Sequence, residues 1–248
     1  MNIYRSLIEA LQSLVSNKLR STLTILGIVI GVAAVIAMIS LGNGMESAIT
    51  DSFNDIGTTQ LTITSSSSGD VRNPQALTLE DAEALEDPTL ISNVANVAPV
   101  TNNAFNLTYT TNSTNASVMG TTSSYAGIQN LELAEGTFID DNYMAQQSAV
   151  VVLGSDLAED LFDRSQGVVD EFVRIEGQPY RVIGVLEVSG SSGFGGNPDE
   201  SAYVPITTAQ ARLARGDTLD EVDTIMVEVN NADNIDLTVE QISQVLRT

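Results

Sequence analysis

Hydrophobic side chains are concentrated in one uninterrupted run, residues 23–41, which reads LTILGIVIGVAAVIAMISL. No charged residue occurs between Arg20 and Glu46. The 19 residues of this run would extend about 28 Å as a helix, close to the ~30 Å hydrocarbon core of a bilayer. The pattern therefore predicts a single transmembrane helix within residues 21–44.

Charge on the two sides of this run predicts its orientation. Arg5, Lys18 and Arg20 precede it, whereas only carboxylates follow it until Arg72. Because cytoplasmic flanks carry the Lys/Arg excess, the N-terminus is expected inside the cell and the rest of the chain outside. A cleaved signal peptide is the rival interpretation. It is disfavoured because its apolar region is normally only about 7–15 residues and a small-residue cleavage site should follow.

The segments on either side of the predicted span also have helical periodicity. In residues 1–20, apolar positions recur at helical spacing, which is typical of an amphipathic helix in the cytoplasmic interface or of a helix packed on another protein segment. Residues 45–57 keep the same spacing and predict a helical stalk that continues outward. Gly42 and Gly44 mark the membrane exit, where a kink is expected.

Residues 58–248 alternate between short strand patterns and short helix patterns. A capping box is expected at Thr78 and Asp81, at the start of one helix. The mixture predicts an α+β domain rather than regular βαβ units. The expected strands are 60–64, several separated by turns within 94–121, 149–153, 171–176, 180–188, 203–205 and 222–229, and the expected helices are 155–162, 207–215 and 238–247. Strands 171–176 and 180–188 are expected to form a hairpin around Gly177-Gln178-Pro179, and Gln210 is expected at the capping-box position of helix 207–215.

Composition narrows the chemistry of this domain. Residues 51–248 contain 7 arginines, 30 carboxylates and no lysine, for a net charge of −23. Nucleic-acid binding needs the opposite sign, so no nucleic-acid partner is predicted. Solubility, a salty habitat or a basic partner would explain the acidity. The chain has no Cys and no His, which excludes thiol chemistry, disulfides, the usual zinc sites and an imidazole base.

Few motifs indicate a site. Gly27 and Gly31 form a GxxxG pattern, which favours close packing against another membrane helix. The Gly/Ser run from Gly190 lacks the GK[ST] of a phosphate loop and is interpreted as a surface loop. Paired carboxylates, including Asp199 with Glu200, are interpreted as solvated faces. The sequence thus predicts no catalytic, cofactor-binding or metal-binding residue and no cofactor, and the chain is not expected to be an enzyme.

The run from Asn17 to Gly44 closely resembles the first transmembrane segment of MacB-type ABC transporter permeases, in the FtsX-like permease superfamily. Further segments of the exported domain occur in that family's order, and the similarity covers almost the whole chain. They are Val118–Thr121, Leu133–Phe138, Val150–Gly154 with Leu161-Phe162, Val182–Val185 and Tyr203–Leu213.

The resemblance implies an inner-membrane location, with the N-terminus cytoplasmic and a periplasmic or extracellular domain of two subdomains, called Porter and Sabre. The Porter-like part would be 58–110 with 201–248, and the Sabre-like part 111–200. Implied partners are a cytoplasmic ABC ATPase, a periplasmic adaptor, an outer-membrane channel, a second permease in a homodimer or heterodimer, and membrane lipid. Family permeases have three further spans after this domain, which this sequence does not contain.

Two functions follow from this resemblance as expectations. The first is a permease subunit, or its N-terminal fragment, that transmits ATPase-driven motion to the exported domain. The alternative is a membrane-anchored scaffold that controls a cell-wall hydrolase. A simple anchored sensor domain is a weaker third interpretation.

Overall fold

The computed structural model describes residues 19, 22–23, 26–40, 59–65, 76–190, 196–213 and 220–246. The chain divides into two units, Met1–Asn54 and Asp55–Thr248. In the first unit, residues 26–40 are helical. No helix in the described part of the chain combines the length and hydropathy of a membrane span. The predicted span 21–44 stays a prediction. The amphipathic segment and the stalk lie outside the described residues, apart from Leu19.

The second unit is a mixed α+β domain, as predicted. Its helices are short, and its strands form one large sheet and one two-stranded sheet. In chain order, the elements are β1 (Gln60–Thr64), β2 (Leu77–Thr78), α1 (Leu79–Glu86), β3 (Val94–Tyr109), β4 (Asn112–Thr121), α2 (Ser124–Ile128), β5 (Leu133–Gly136), α3 (Asp141–Ala145), β6 (Val150–Leu153), α4 (Ser155–Phe162), β7 (Phe172–Ile175), β8 (Gln178–Leu186), a 3₁₀ turn (Pro198–Glu200), β9 (Ser201–Pro205), α5 (Ile206–Arg212), β10 (Glu221–Val222), β11 (Thr224–Val229), a second 3₁₀ turn (Ala232–Asn234) and α6 (Ile235–Val245).

Strand pairing gives a sheet in the order β1-β11-β3-β4-β9-β6-β8-β5, with β7 paired to both β3 and β8. Six of these strands, β3, β4, β9, β6, β8 and β7, therefore close into a ring. The closing contact is the pairing of Leu107 with Ile175 and of Thr108 with Arg174. A closed ring leaves no free edge among its own strands.

The 16 residues of β3 belong to both parts of the sheet. Its first half pairs with β11, from Val94 to Val100. Its second half pairs with β4, from Thr101 to Tyr109. One continuous strand thus joins the ring to the sheet region that contains β1 and β11.

Three hydrophobic clusters fill the domain. The first takes alternate residues of the ring strands, such as Leu107 and Val173, together with Leu161 of α4. The second lies on the opposite strand face and includes Tyr203. The third packs α1 and α6 against β3 and β11, with Leu85 at its centre. Because successive side chains of a strand point to opposite faces, one sheet contributes residues to two clusters.

Several helices form where local chemistry predicts them. The capping box at the start of α1 is confirmed: the Asp81 amide donates to Thr78 Oγ1 over 3.2 Å, and the Thr78 amide donates to Asp81 Oδ2 over 2.8 Å. Helix α4 has its predicted bounds, and its apolar residues Leu157, Ala158 and Leu161 are buried. It ends at Asp163, whose left-handed backbone (φ 56°) is suited to a helix C-terminus.

Three element predictions need correction. The β7–β8 turn falls at Glu176-Gly177, where both residues have positive φ, and Pro179 pairs within β8 rather than in the turn. The predicted strand 222–229 is broken at Asp223, which accepts a hydrogen bond from the Asn102 amide over 2.7 Å. The predicted capping box of helix 207–215 is wrong, because that helix begins at Ile206 and Thr207 Oγ1 instead donates to the Met144 carbonyl over 2.7 Å.

Candidate interaction sites

The predicted packing residues Gly27 and Gly31 both lie in the helix of residues 26–40. A Cβ atom added at either glycine would meet nothing within 4 Å. The small-residue face is therefore open to another helix as far as the described residues show. Gly42 and Gly44 lie outside the described residues. The packing and membrane-exit roles of all four glycines stay predictions.

Large apolar side chains of this helix are exposed on every side. Ile28, Val29 and Ile30, which point in three different directions around the helix axis, are 61%, 58% and 59% exposed. A helix that is hydrophobic all round is stable only inside a larger apolar environment. Either a lipid bilayer or a set of neighbouring helices would provide such an environment.

In the second unit, a buried carboxylate joins the end of the β8 segment to the first 3₁₀ turn. Asp199, in the first 3₁₀ turn, is only 3% exposed. It accepts hydrogen bonds from the amides of Ser189 and Gly190, each over 2.9 Å. Gly154, at the start of α4, packs directly against the carbonyls of Pro198 and Asp199. The interpretation of Asp199 as part of a solvated face is therefore wrong.

Negative charge on the domain surface is largely uncompensated by the few arginines. Ion pairs join Arg181 to Asp170 over 2.8 Å and Arg164 to Glu171 over 3.6 Å.

Desolvation raises the pKa of Glu86. Repulsion from Glu83 and Asp141 raises the pKa further. Within the described ranges, no group of three or more acidic side chains is arranged to hold a metal ion.

A cavity of about 290 Å³ lies beside α5 and is here called the α5 cavity. Its walls come from β3, β4 and α5, and its rim comes from β10 and the ends of the segment between β1 and β2. Phe105, Val118 and Leu213 supply its apolar surface. Sequence reasoning missed this cavity because its lining residues come from segments separated by more than 100 positions.

Comparisons with a family model and with individual proteins identify the same family. The family model described as "MacB-like periplasmic core domain" matches residues 21–245. A macrolide export ATP-binding/permease protein MacB from Hyphomonas neptunium is 34% identical over 207 residues, which cover 82% of this chain and 32% of that protein. A protein of the same description from Azoarcus sp. is 33% identical over 242 residues, which cover 96% of this chain and 35% of that protein.

Solved structures support the same fold. The periplasmic region of MacB from Actinobacillus actinomycetemcomitans superposes with a TM-score of 0.65 at 22% identity, covering 78% of this chain and 85% of that one. The extracellular domain of the noncanonic ABC-type transporter YknZ from Gram-positive bacteria gives a TM-score of 0.62 at 22% identity, covering 76% and 92%. These similarities concern the fold alone.

The closed ring, the shared strand β3 and the flanking helices define a mixed α+β domain of the kind found outside the membrane in transporter permeases. The chain belongs to the MacB-like periplasmic core domain family. It spans about one third of the length of the curated relatives that it matches.

Proposed function

We propose that this chain is a permease subunit, or the N-terminal part of one, in an ABC-type export system, in which it transmits ATPase-driven motion to a domain outside the membrane. One observation carries the proposal. A single family match runs from the apolar helical segment through the whole α+β domain, over residues 21–245. This match supports the proposal, because it joins the apolar segment and the α+β domain in one family region.

The proposed location is the inner membrane, with the N-terminus in the cytoplasm and the α+β domain in the periplasm or outside the cell. The proposed partners are a cytoplasmic ABC ATPase, a periplasmic adaptor, an outer-membrane channel, a second permease copy and membrane lipid. The relatives are macrolide export ATP-binding/permease proteins by name, which combines an ATP-binding and a permease function. Gly27 and Gly31 would provide close helix packing, and Gly42 and Gly44 the exit from the membrane.

The architecture of the α+β domain suits the transmission of a displacement. Its clusters share one sheet, and β3 passes without interruption from the ring to the pairing with β11. Packed cores resist continuous deformation, so a push at the base of such a domain moves it as a body. The helical stalk predicted for residues 45–57 would deliver that push.

We further propose that the chain is not itself an enzyme, because energy would come from the separate ATPase. The purified 248-residue chain in detergent should release no phosphate from ATP above a buffer blank. ATP hydrolysis should be observed only after a matching ATP-binding subunit is added. Phosphate release by the chain alone, which persists through repeated purification, would contradict this proposal.

The proposed orientation can be measured by cysteine labelling, since the natural chain has no cysteine. A Ser6→Cys variant should be protected from an impermeant thiol reagent in intact cells and should label after the cells are lysed. A Thr111→Cys variant, at the exposed β3–β4 turn, should label in intact cells. Reversed labelling would overturn both the orientation and the proposed export role.

The transmission step is tested by breaking the stalk in the complete transporter. An Ala48→Pro substitution removes a helical hydrogen bond and costs about 3 kcal/mol locally in a helix. We expect ATP hydrolysis to continue while export falls sharply, because a kinked stalk passes on less of the displacement. The matched control is Ala48→Leu, which keeps a good helix former and should leave export unchanged. Wild-type export by the proline variant would show that no rigid stalk is needed.

A further inference from the structure

The β3–β4 hairpin contains three copies of one asparagine triplet. In this triplet a serine or threonine stands two positions after the asparagine, which is the acceptor pattern for N-linked sugars. The triplets begin at Asn106, Asn112 and Asn115, and the sequence contains no others. A stretch rich in Asn and Thr produces such triplets by composition alone. The position of each asparagine in the fold therefore decides whether it can be a site.

Two of the three asparagines lie on the outer face of the hairpin. Asn106 and Asn115 are directly opposite each other in the pairing of β3 with β4, and both are exposed. Successive side chains of a strand point to opposite faces, so the middle residues of these triplets, Leu107 and Ala116, are buried in the core. The asparagine and the hydroxyl residue of each triplet consequently share the outer face.

Hydrogen bonds distinguish the three side-chain amides. Asn112 Nδ2 donates to the Leu161 carbonyl over 2.9 Å, so a sugar on this atom would crowd the contact with α4. Asn106 Nδ2 donates to Ser113 Oγ over 3.0 Å. The side-chain amide of Asn115 makes no hydrogen bond to any described residue. A sugar on Asn115 would thus displace none of the described contacts.

From this combination of motif, exposure and unused amide we propose that Asn115 is an N-glycosylation site. The donor is an oligosaccharide linked to an isoprenoid phosphate, and a membrane transferase catalyses the step. Asn115 Nδ2 forms a bond to the anomeric carbon, whose bond to the phosphate oxygen breaks. The amide gives one proton to a base of the transferase, and the lipid phosphate leaves with the electron pair.

The modification precedes folding of the hairpin, because in the folded domain β4 is paired to β3 along its length and to β9 from Ser117 onward. Opposite residues of paired strands have Cβ atoms only about 4.5–5.5 Å apart. A sugar on Asn115 therefore crowds Asn106, and one sugar chain is expected at this pair. It would cover this part of the outer face and keep it from packing against another protein.

The test is peptide mass spectrometry on the protein purified from the membranes of the cells that naturally make it. The same protein made in a bacterial host without N-linked glycosylation is the unmodified reference. We expect the native peptide that contains residues 106–117 to be heavier by a whole number of sugar residues, and fragmentation to place the sugar on Asn115. An unmodified native peptide, or sugar on Asn106 or Asn112 but not on Asn115, would overturn the inference.

Variants made in the native cells test recognition of the triplet. Ser117→Ala removes the hydroxyl and keeps Asn115, and it should abolish the modification as completely as Asn115→Gln. Ser117→Thr keeps the acceptor pattern and should keep the sugar. The matched control is Asn103→Gln, since Asn103 is an exposed asparagine of β3 outside any triplet. Sugar retained by Ser117→Ala, or lost equally in Ser117→Thr or Asn103→Gln, would refute the site.

This inference rests on the proposed location of the α+β domain outside the membrane, and the two fail in different ways. Labelling of Thr111→Cys in intact cells reports on the location of the same hairpin. If Thr111→Cys is labelled and Asn115 is unmodified, the location stands and the modification is refuted. If Thr111→Cys is protected in intact cells, the location is wrong and the inference fails with it.

Discussion

Replacing Gly154 with alanine is expected to destabilise the α+β domain by about 3 kcal/mol, at the upper end of the range for an overpacked site. A Cβ atom at this position would lie 2.3 Å from the carbonyl oxygens of both Pro198 and Asp199. These are backbone atoms, so neither can swing away as the end of a flexible side chain can. The start of α4 or the 3₁₀ turn must therefore shift. Such a shift would also disturb the hydrogen bond that the Gly154 amide donates to the Ser201 carbonyl over 2.8 Å.

The measurement is urea unfolding of the 248-residue chain in mild detergent, followed by circular dichroism. Gly127→Ala is the matched control, because a Cβ there would meet nothing within 4 Å and the residue is inside helix α2. Alanine in a helix interior is better than glycine by roughly 0.5–1 kcal/mol, so this control should be neutral or slightly stabilised. Similar midpoints for both variants would show that the close approach at Gly154 carries no cost.

Replacing Asp199 with alanine is expected to have a comparable effect, about 3 kcal/mol, for a different reason. The carboxylate accepts from the amides of Ser189 and Gly190, and hydrogen bonds to charged groups contribute about 1.5–3 kcal/mol each. The loss would release the C-terminal end of the β8 segment from the 3₁₀ turn. Asp199→Asn keeps one acceptor oxygen and should fall between the wild type and alanine.

The neighbouring Glu200→Ala variant is the control for Asp199. Glu200 is exposed and accepts a bond from Asn197 Nδ2 over 3.0 Å. Surface changes of this kind usually stay within about ±0.5 kcal/mol. The same urea titration compares the three variants. If Asp199→Ala unfolds at the midpoint of Glu200→Ala, the buried carboxylate is not what holds this junction.

Elements with complete local signals were predictable from the sequence. The α1 capping box needs only residues three positions apart, and α4 has a compact apolar stripe between Gly154 and Asp163. The strand that starts the domain was likewise predicted as 60–64 and is observed as Gln60–Thr64. In each case the information lies within about ten residues, which is the range that pattern reasoning covers.

One local feature and two features that depend on distant partners were missed. The β7–β8 turn was misplaced locally, because Gly177-Gln178-Pro179 has the composition of a turn, whereas Pro179 pairs inside β8 and Glu176 takes the left-handed position. Asp199 looks solvated in the sequence beside Glu200, and only the folded chain brings the Ser189 amide to it. The α5 cavity depends on segments that meet through β3 and α5. No local pattern encodes such a meeting.

The pairing of β1 with β11 sets the order in which the domain can be completed. Gln60 pairs with Glu228, and the six strands of the ring are all translated between them. Synthesis proceeds from the N-terminus, and pairings between distant segments form slowly. The QLTIT strand therefore emerges early and must wait for its partner until nearly the whole domain has been made. During that interval it is an uncharged, β-prone segment of the type that invites wrong strand pairing. Among the described strands, the last to be translated thus covers the inner side of the first.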